Sequence, residues 1–381
     1  MRKRHIALFI TPHFPHVHPT LPIVSTMVRR GFRSTYVTSD VFQSKLQRLG
    51  AEIVPRPRLQ FNEGPEEGLD GAFCRLALRT LEPASAFYKE NKPDLIVYDL
   101  ADLAGRILAY RLNIPAVQIS PHFAFDRDTL PQQIRGDEIR AIAIDVSRRA
   151  DGFLAQHGVP SEEFLFHREQ LNIYPFPRVL QPHGVRTDAR LLYAGRCPGE
   201  QPLYGEWNVH NAKGRRVVLI AASTTHTRDT GYYPLCIEAL SPLNVHTIFS
   251  VGANAHAIPV PDLPEHFEIV RDVSHGTILP YTDVLIYQGG TTTTAEAAYH
   301  GVPVLAVTYG NLELEWLADN IAEVGLGLHL RKSAMTSESL RSSASRLLDD
   351  AGIHRRVQQI KHAVRREPGA EEIVNAIEEL L

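Results

Sequence analysis

Cysteine is scarce in this chain. Cys74, Cys197 and Cys236 stand far apart among 381 residues and no CxxC pair occurs, which excludes a disulfide framework and a zinc knuckle. Net charge is also small. Lys and Arg number 40 against 43 Asp and Glu, a balance of −3, so there is no broad basic footprint for nucleic acid or for an anionic lipid surface. Long apolar runs are missing as well: the basic start Arg2-Lys3-Arg4 is followed by an apolar run only from Ile6 to Ile10, short for a signal-peptide core. No later stretch nears the ~18 uninterrupted apolar residues of a membrane span. The expectation is a cytoplasmic protein, monomer or homodimer, with no nucleic-acid partner and no stable membrane insertion.

What is present is the composition of a folded enzyme. Hydrophobic residues make up 44% and charged residues 22%, enough to bury a core and too apolar for disorder. The length suits two domains. Short apolar runs alternate with amphipathic stretches, the pattern of βαβ units and a parallel sheet. Strands are predicted over 5–10, 34–38, 94–98 and 116–119. Helices are predicted over 20–30, ended by Gly31, then from a cap at Asp40 to near Gly50, and over 101–112. Residues 125–170 read as a polar, helical pocket wall. A polar stretch without periodicity over 196–214 reads as a linker between domains spanning 1–195 and 215–365. Beyond it the rhythm restarts, with strands over 217–221, 245–251, 283–287 and 303–307. Within 366–381, Ile373, Ile377, Leu380 and Leu381 stand at helical spacing, as in a closing helix that returns to the first domain.

The loop after the first strand, Thr11-Pro12-His13-Phe14-Pro15-His16-Val17-His18-Pro19, places three histidines beyond the carboxyl end of a strand, where ligands gather in open α/β sheets. Three roles are open to them. They could ligate a metal, although no Cys or acidic residue in the loop completes a set. One could act as a general base near neutral pH, or all could merely solvate or cap the loop. Asp99 singles out His16, because a carboxylate on one ring nitrogen would fix the tautomer and stabilise the imidazolium. The competing role for Asp99 is to cap a helix starting at Ala101.

A second rich segment, Tyr287-Gln288-Gly289-Gly290-Thr291-Thr292-Thr293-Thr294-Ala295-Glu296, leaves a strand through two glycines and enters a helix with four hydroxyls in its first turn. Free N–H groups and the positive end of a helix make this a natural diphosphate site. It is neither a GxGxxG nor a P-loop, and redundant capping of a strand-to-helix turn would use the same residues. Ser223-Thr224-Thr225, after 217–221, is likewise either a phosphate-facing loop or a plain cap.

Taken together, these loops resemble the macrolide-type, family 1 glycosyltransferases over nearly the whole chain. The family's GHVNPSL loop is matched by Pro15-His16-Val17-His18-Pro19-Thr20-Leu21, and the Asp that partners its His by Asp99 in Val97-Tyr98-Asp99-Leu100. Its HxGxxxSxEAxxxGxPxxxxP motif is matched by Gln288-Gly289-Gly290, Thr294, Glu296, Ala297, Gly301, Val302 and Pro303. The resemblance implies an α/β GT-B fold, two facing Rossmann-like doubly wound domains with a cleft between them. It also implies an inverting, metal-independent transfer of sugar from a UDP- or dTDP-sugar to a hydroxyl of a small hydrophobic natural product, polyketide or macrolide-like, with no tightly bound cofactor. His16 is then the general base and Asp99 its orienting partner. On the donor side fall Ser223, Thr224, His275, Gln288, Gly290, Thr291, Thr292, Thr293, Thr294, Glu296 and Glu313, with Glu296 matching the residue that usually holds the ribose hydroxyls. On the acceptor side fall His13, Phe61, Phe73, His122 and Phe123.

The donor side also departs from the pattern. The family's His facing the diphosphate is Gln288, its aromatic residue near the nucleobase falls at Asp272, and the following Pro-Gln is Ser274-His275. Its sugar-gripping Asp-Gln falls at Leu312-Glu313. Either the donor is not UDP-glucose, or this is an auxiliary protein whose donor site has decayed; a nucleotide-sugar epimerase of the same fold is a further alternative.

Overall fold

All five residues of His5–Phe9 are buried, and they form β1. A strand buried on both faces belongs in the middle of a parallel sheet covered by helices, and the two faces of β1 indeed feed two separate cores. Ile6 and Leu8 pack with the helices Leu21–Arg29 and Ala370–Glu378. Ala7 and Phe9 pack with Leu103–Leu112 and with the buried residues of the longer helices Leu69–Glu90 and Asp137–Gln156. The computed structural model describes residues 3–60, 69–128, 137–161, 163–181, 188–200, 207–221, 231–251, 263–270 and 274–381.

The chain folds as two units, Met1–Gln201 with Glu367–Leu381, and Pro202–Arg366. In the first unit β1 is joined by β2 (Arg33–Thr38), β3 (Glu52–Pro55), β4 (Leu95–Asp99), β5 (Ala116–Ile119), β6 (Leu171–Tyr174) and β7 (Leu191–Tyr193). The order is β3-β2-β1-β4-β5-β6-β7, parallel throughout. In the second, β8 (Arg216–Ala221), β9 (Val245–Ser250), β10 (Phe267–Val270), β11 (Val284–Tyr287), β12 (Val304–Thr308) and β13 (Gly327–Arg331) run in the order β10-β9-β8-β11-β12-β13, again parallel. Each unit is therefore a Rossmann-like, doubly wound sheet, and each places strands distant in sequence side by side at its centre: β1 beside β4, β8 beside β11. That reversal of winding is where a crevice opens above the carboxyl ends of the strands.

Several boundaries differ from the sequence pattern for local reasons. Asp40 is not a cap: the helix Asp40–Arg48 follows Ser39, and the Asp40 carboxylate instead binds Arg58 at 2.6 and 2.8 Å. The helix expected from Ala101 starts at Leu103, because Asp102 caps it by accepting the Gly105 N–H at 3.1 Å. Within 125–170 stand the helix Asp137–Gln156 and a short 3-10 turn, Phe164–Phe166. Within 196–214, Cys197–Glu200 forms a 3-10 turn with Cys197 and Pro198 buried in the first unit, whereas Trp207 and Asn211 donate hydrogen bonds to Glu268 of β10 in the second. The helix Ala370–Glu378 lies on the first unit, its Asn375 accepting from Arg30 at 2.6 Å. Among the described residues no helix is long and apolar enough to cross a membrane.

Candidate active site

The chain leaves β1 through Thr11, turns as the His13 N–H meets the Thr11 carbonyl at 2.7 Å, and forms a single helical turn, Phe14–Val17, which buries His16 and Val17. Pro15 sits in its first turn, where the missing N–H costs nothing. From the neighbouring β4, Asp99 emerges on the same rim. His16 Nδ1 meets Asp99 Oδ2 at 2.6 Å, with the two side chains 6% and 1% exposed. The other carboxylate oxygen, Oδ1, accepts the Ala101 N–H at 2.8 Å and lies 3.4 Å from the Thr11 hydroxyl. Asp99 is not the cap of the following helix, a place taken by Asp102; its Oδ1 holds the turn at Ala101 while its second oxygen serves the imidazole.

Two residues that sequence reasoning left aside support this rim. Arg56, just after β3, forms a buried ion pair with Asp102, their side chains 1% and 0% exposed. The same guanidinium reaches the Ile10 carbonyl at the end of β1 at 3.5 Å, so one cation ties together the strand ends that carry His16 and Asp99. An Asp immediately before a helical run was the available signal for Asp102; nothing local marks Arg56, whose partner is 46 residues away.

The histidines do not collect into a metal centre. His18 is buried and stacks on the Phe14 ring at 4.6 Å, and no group of three or more His, Cys, Asp or Glu among the described residues is arranged to hold a metal ion. His13 stands at the surface with its ring 6.0 Å from that of His16. His122, beyond β5, is half-buried and meets the His16 ring edge-on at 5.2 Å. Of the aromatic candidates, Phe123 is 3% exposed and packed against Phe176 at 5.1 Å, so its ring fills the interior. Phe73 is half-buried on the helix Leu69–Glu90. Phe61 lies outside the described residues.

In the second unit, β11 ends at Tyr287 and the chain turns through Gly289, whose φ of +92° is a conformation open to glycine and costly for other residues. The helix Thr291–His300 starts at once, with Gly290, which has no side chain to offer, as its cap. Thr291 and Thr292 are buried in the first turn and Thr293 is half-buried. The Thr294 hydroxyl is taken up internally, donating to the Gly290 carbonyl at 2.8 Å and bonding Tyr287. A helix N-terminus beside small hydroxyl side chains has the chemistry to receive an anion.

Glu296, on the same helix, is 2% exposed, and its Oε2 meets His275 Nδ1 at 3.0 Å. Burial disfavours the imidazolium, but the hydrogen bond and charge of Glu296 outweigh it, and the His275 pKa lies above its ordinary value. Gln288 is half-buried between β11 and the glycines. Ser274 precedes the short helix His275–Ile278 without capping it. Asn311 caps the helix Leu312–Val324, on which Leu312 is half-buried and Glu313 exposed. Ser223, Thr224 and Asp272 lie outside the described residues.

Residues 235–380 match the family described as Erythromycin biosynthesis protein CIII-like, C-terminal domain. The chain is 30% identical to NDP-glycosyltransferase YjiC of Bacillus licheniformis over 395 residues, covering 100% of this chain and 98% of that protein. It is 29% identical to Demethyllactenocin mycarosyltransferase of Streptomyces fradiae, covering 100% of this chain and 87% of that one. The crystal structure of CalG4, the calicheamicin glycosyltransferase, superposes with a TM-score of 0.82 at 25% identity, covering 100% of this chain and 99% of that one. The two-sheet architecture is the GT-B fold of these proteins.

Proposed function

The chain belongs to the macrolide-type, family 1 glycosyltransferases and is a glycosyltransferase of the natural-product kind; from that premise we propose that it moves a sugar, with inversion, from a nucleoside-diphosphate sugar to a hydroxyl of a small hydrophobic acceptor. The observation that carries the reading is the buried 2.6 Å hydrogen bond between His16 and Asp99. With Nδ1–H donating to the carboxylate, the lone pair sits on Nε2 and can accept the proton of the acceptor hydroxyl. As that O–H bond breaks, the oxygen forms a bond to the anomeric carbon. The bond from that carbon to the diphosphate oxygen breaks and its electron pair leaves with the diphosphate. The proton remains on His16 as an imidazolium facing Asp99, and attack opposite the leaving group inverts the anomeric configuration.

Charge that develops on the diphosphate is received by the N-terminus of the helix Thr291–His300 and the hydroxyls of Thr291 and Thr292. Gln288 adds a neutral donor where the family pattern has a histidine, so less positive charge is available there. Leu312, in place of a sugar-gripping Asp, has nothing to accept a hydroxyl. This supports a donor sugar other than glucose, one with fewer hydroxyl groups to satisfy. The name of the Bacillus licheniformis relative, an NDP-glycosyltransferase, supports the nucleoside-diphosphate donor.

The test is transfer itself: the protein is incubated with UDP- and dTDP-sugars and a panel of polyketide and phenolic alcohols, and products are read by mass spectrometry and anomeric NMR. Wild type should add one sugar with inverted configuration, and His16→Ala should lose on the order of 10² to 10⁴ of the rate, the usual worth of a general base. Unchanged turnover in His16→Ala would remove His16 from the mechanism; retained configuration would remove the single displacement.

A further inference from the structure

Strands β11 and β12 pair side by side, Tyr287 opposite Ala306, so the turns that leave their carboxyl ends lie together. The approach is close: a Cβ added at Gly289 would stand 3.5 Å from the Leu314 carbonyl oxygen, 3.8 Å from Ala306 Cβ and 3.9 Å from Ala318 Cβ. The first turns of the helix Leu312–Val324 therefore flank the glycine turn that opens the helix Thr291–His300. Polar side chains of β13 hold this flanking helix to the sheet. His329, 6% exposed, meets the Thr308 hydroxyl at the end of β12 with Nε2 at 2.8 Å and Asp319 Oδ1 with Nδ1 at 2.7 Å. Arg331 donates to the two oxygens of Asp319 at 3.1 and 2.8 Å and to Glu315 at 3.4 Å. Glu315 and Asp319 stand four residues apart and share a helix face, so β13 grips two successive turns, beginning with the one that carries Leu312 and Glu313.

We propose that His329 and Arg331 are positioning residues for the sugar half of the donor: by fixing the helix Leu312–Val324 along its axis they set where its first turn stands beside the turn at Gly289. This deepens the donor-site reading given above and rests on it. Burial of Leu317 and Ile321 holds the helix to the sheet but is non-directional, and Ala306 and Ala318 have only a methyl group each to interlock, so the hydrogen bonds from β13 decide how far along its axis the helix sits. A diphosphate received at the start of the helix Thr291–His300 does not depend on that setting. The sugar attached to it, flanked by the first turn of Leu312–Val324, does, and a misplacement of about 1 Å can cost on the order of 10²-fold where positioning matters.

Calorimetric titration of the full chain with UDP and dTDP identifies the nucleotide that binds tighter; that free diphosphate, its glucose conjugate and its rhamnose conjugate then form the series. In wild type the two conjugates should differ in Kd by about tenfold, as in a site whose walls match one set of hydroxyls. His329→Ala should leave the Kd of the free diphosphate within about twofold of wild type and bring the two conjugates to within about twofold of each other. An equal loss for all three ligands overturns the proposal, because the residue would then support the whole donor unit and not its sugar side. An unchanged preference between the conjugates overturns it too. Should His329→Ala fail to fold, Arg331→Met, whose side chain is 49% exposed in wild type, decides on the same two readings. Wild type that does not distinguish the conjugates overturns the proposal while leaving the donor site itself standing. Folded wild-type protein that binds neither UDP nor dTDP removes the donor-site reading, and the role of His329 and Arg331 with it.

Discussion

Asp99 gives one carboxylate oxygen to His16, at 2.6 Å, and keeps the other for its own turn, at 2.8 Å from the Ala101 N–H. The two functions can be separated by substitution. In Asp99→Asn the amide oxygen can still accept from Ala101, but the amide N–H2 faces Nδ1 and forces the proton onto Nε2, the nitrogen that has to be bare. Turnover should fall by on the order of 10² to 10⁴, with little change in melting temperature. Steady-state rates beside a thermal melt check this; full activity would make Asp99 a turn residue only.

Gly105 lies where the helix Leu103–Leu112 crosses the sheet. A Cβ there would stand 2.5 Å from Phe9 Cβ and 2.7 Å from Tyr98 Cβ, on the two strands that deliver His16 and Asp99. Backbone-proximal atoms cannot swing away, so Gly105→Ala should destabilise the first unit by about 1–3 kcal/mol and lower activity by shifting the two strand ends. Denaturant unfolding measures the first effect and kinetics the second; a neutral substitution would show that this packing tolerates slack.

Removing one partner of the Arg56–Asp102 pair leaves a buried charge alone. Arg56→Met should cost about 3–5 kcal/mol, and adding Asp102→Asn should restore part of that loss, because the orphaned carboxylate is then gone. Chemical denaturation of Arg56→Met, Asp102→Asn and the double variant decides it. A double variant as unstable as the sum of its parts would argue that the two residues act separately.

Glu367 opens the segment that returns to the first unit. Its carboxylate accepts the N–H of Arg178 at 2.9 and 3.1 Å and of Gly195 at 3.1 Å. Burial outweighs these donors and raises its pKa from 4.5 to about 7. Between those values the folded state holds a proton that the unfolded chain has released, so this group makes stability fall as pH rises through the interval. Glu367→Gln, which keeps an acceptor oxygen without titrating, should melt like wild type near pH 4 and increasingly above it toward pH 8. Parallel melting curves at all pH values would place the titration elsewhere.

The alternation of buried strands with amphipathic helices, the restart after residue 214 and the glycine turn into a helix at Gly289 to Thr292 were legible in the sequence. These features are local: periodicity, turn chemistry and helix starts are written within a few residues of where they act. The pairing of His16 with Asp99 was also within reach, because a residue at the carboxyl end of a parallel strand has a known rim to stand on, even 83 positions away. Strands β3, β6, β7, β10 and β13 carry three to five residues each, a range that also holds β5 and β11, and are made strands by the neighbours they pair with. Tertiary structure alone decided how each polar side chain was used: that Asp99 divides its oxygens, that Thr294 turns inward, that Arg56 joins two strand ends and that His275 closes on Glu296. Those choices are made by burial, since a polar atom removed from water takes whichever partner the fold brings within reach, and that partner is not encoded beside it in the chain.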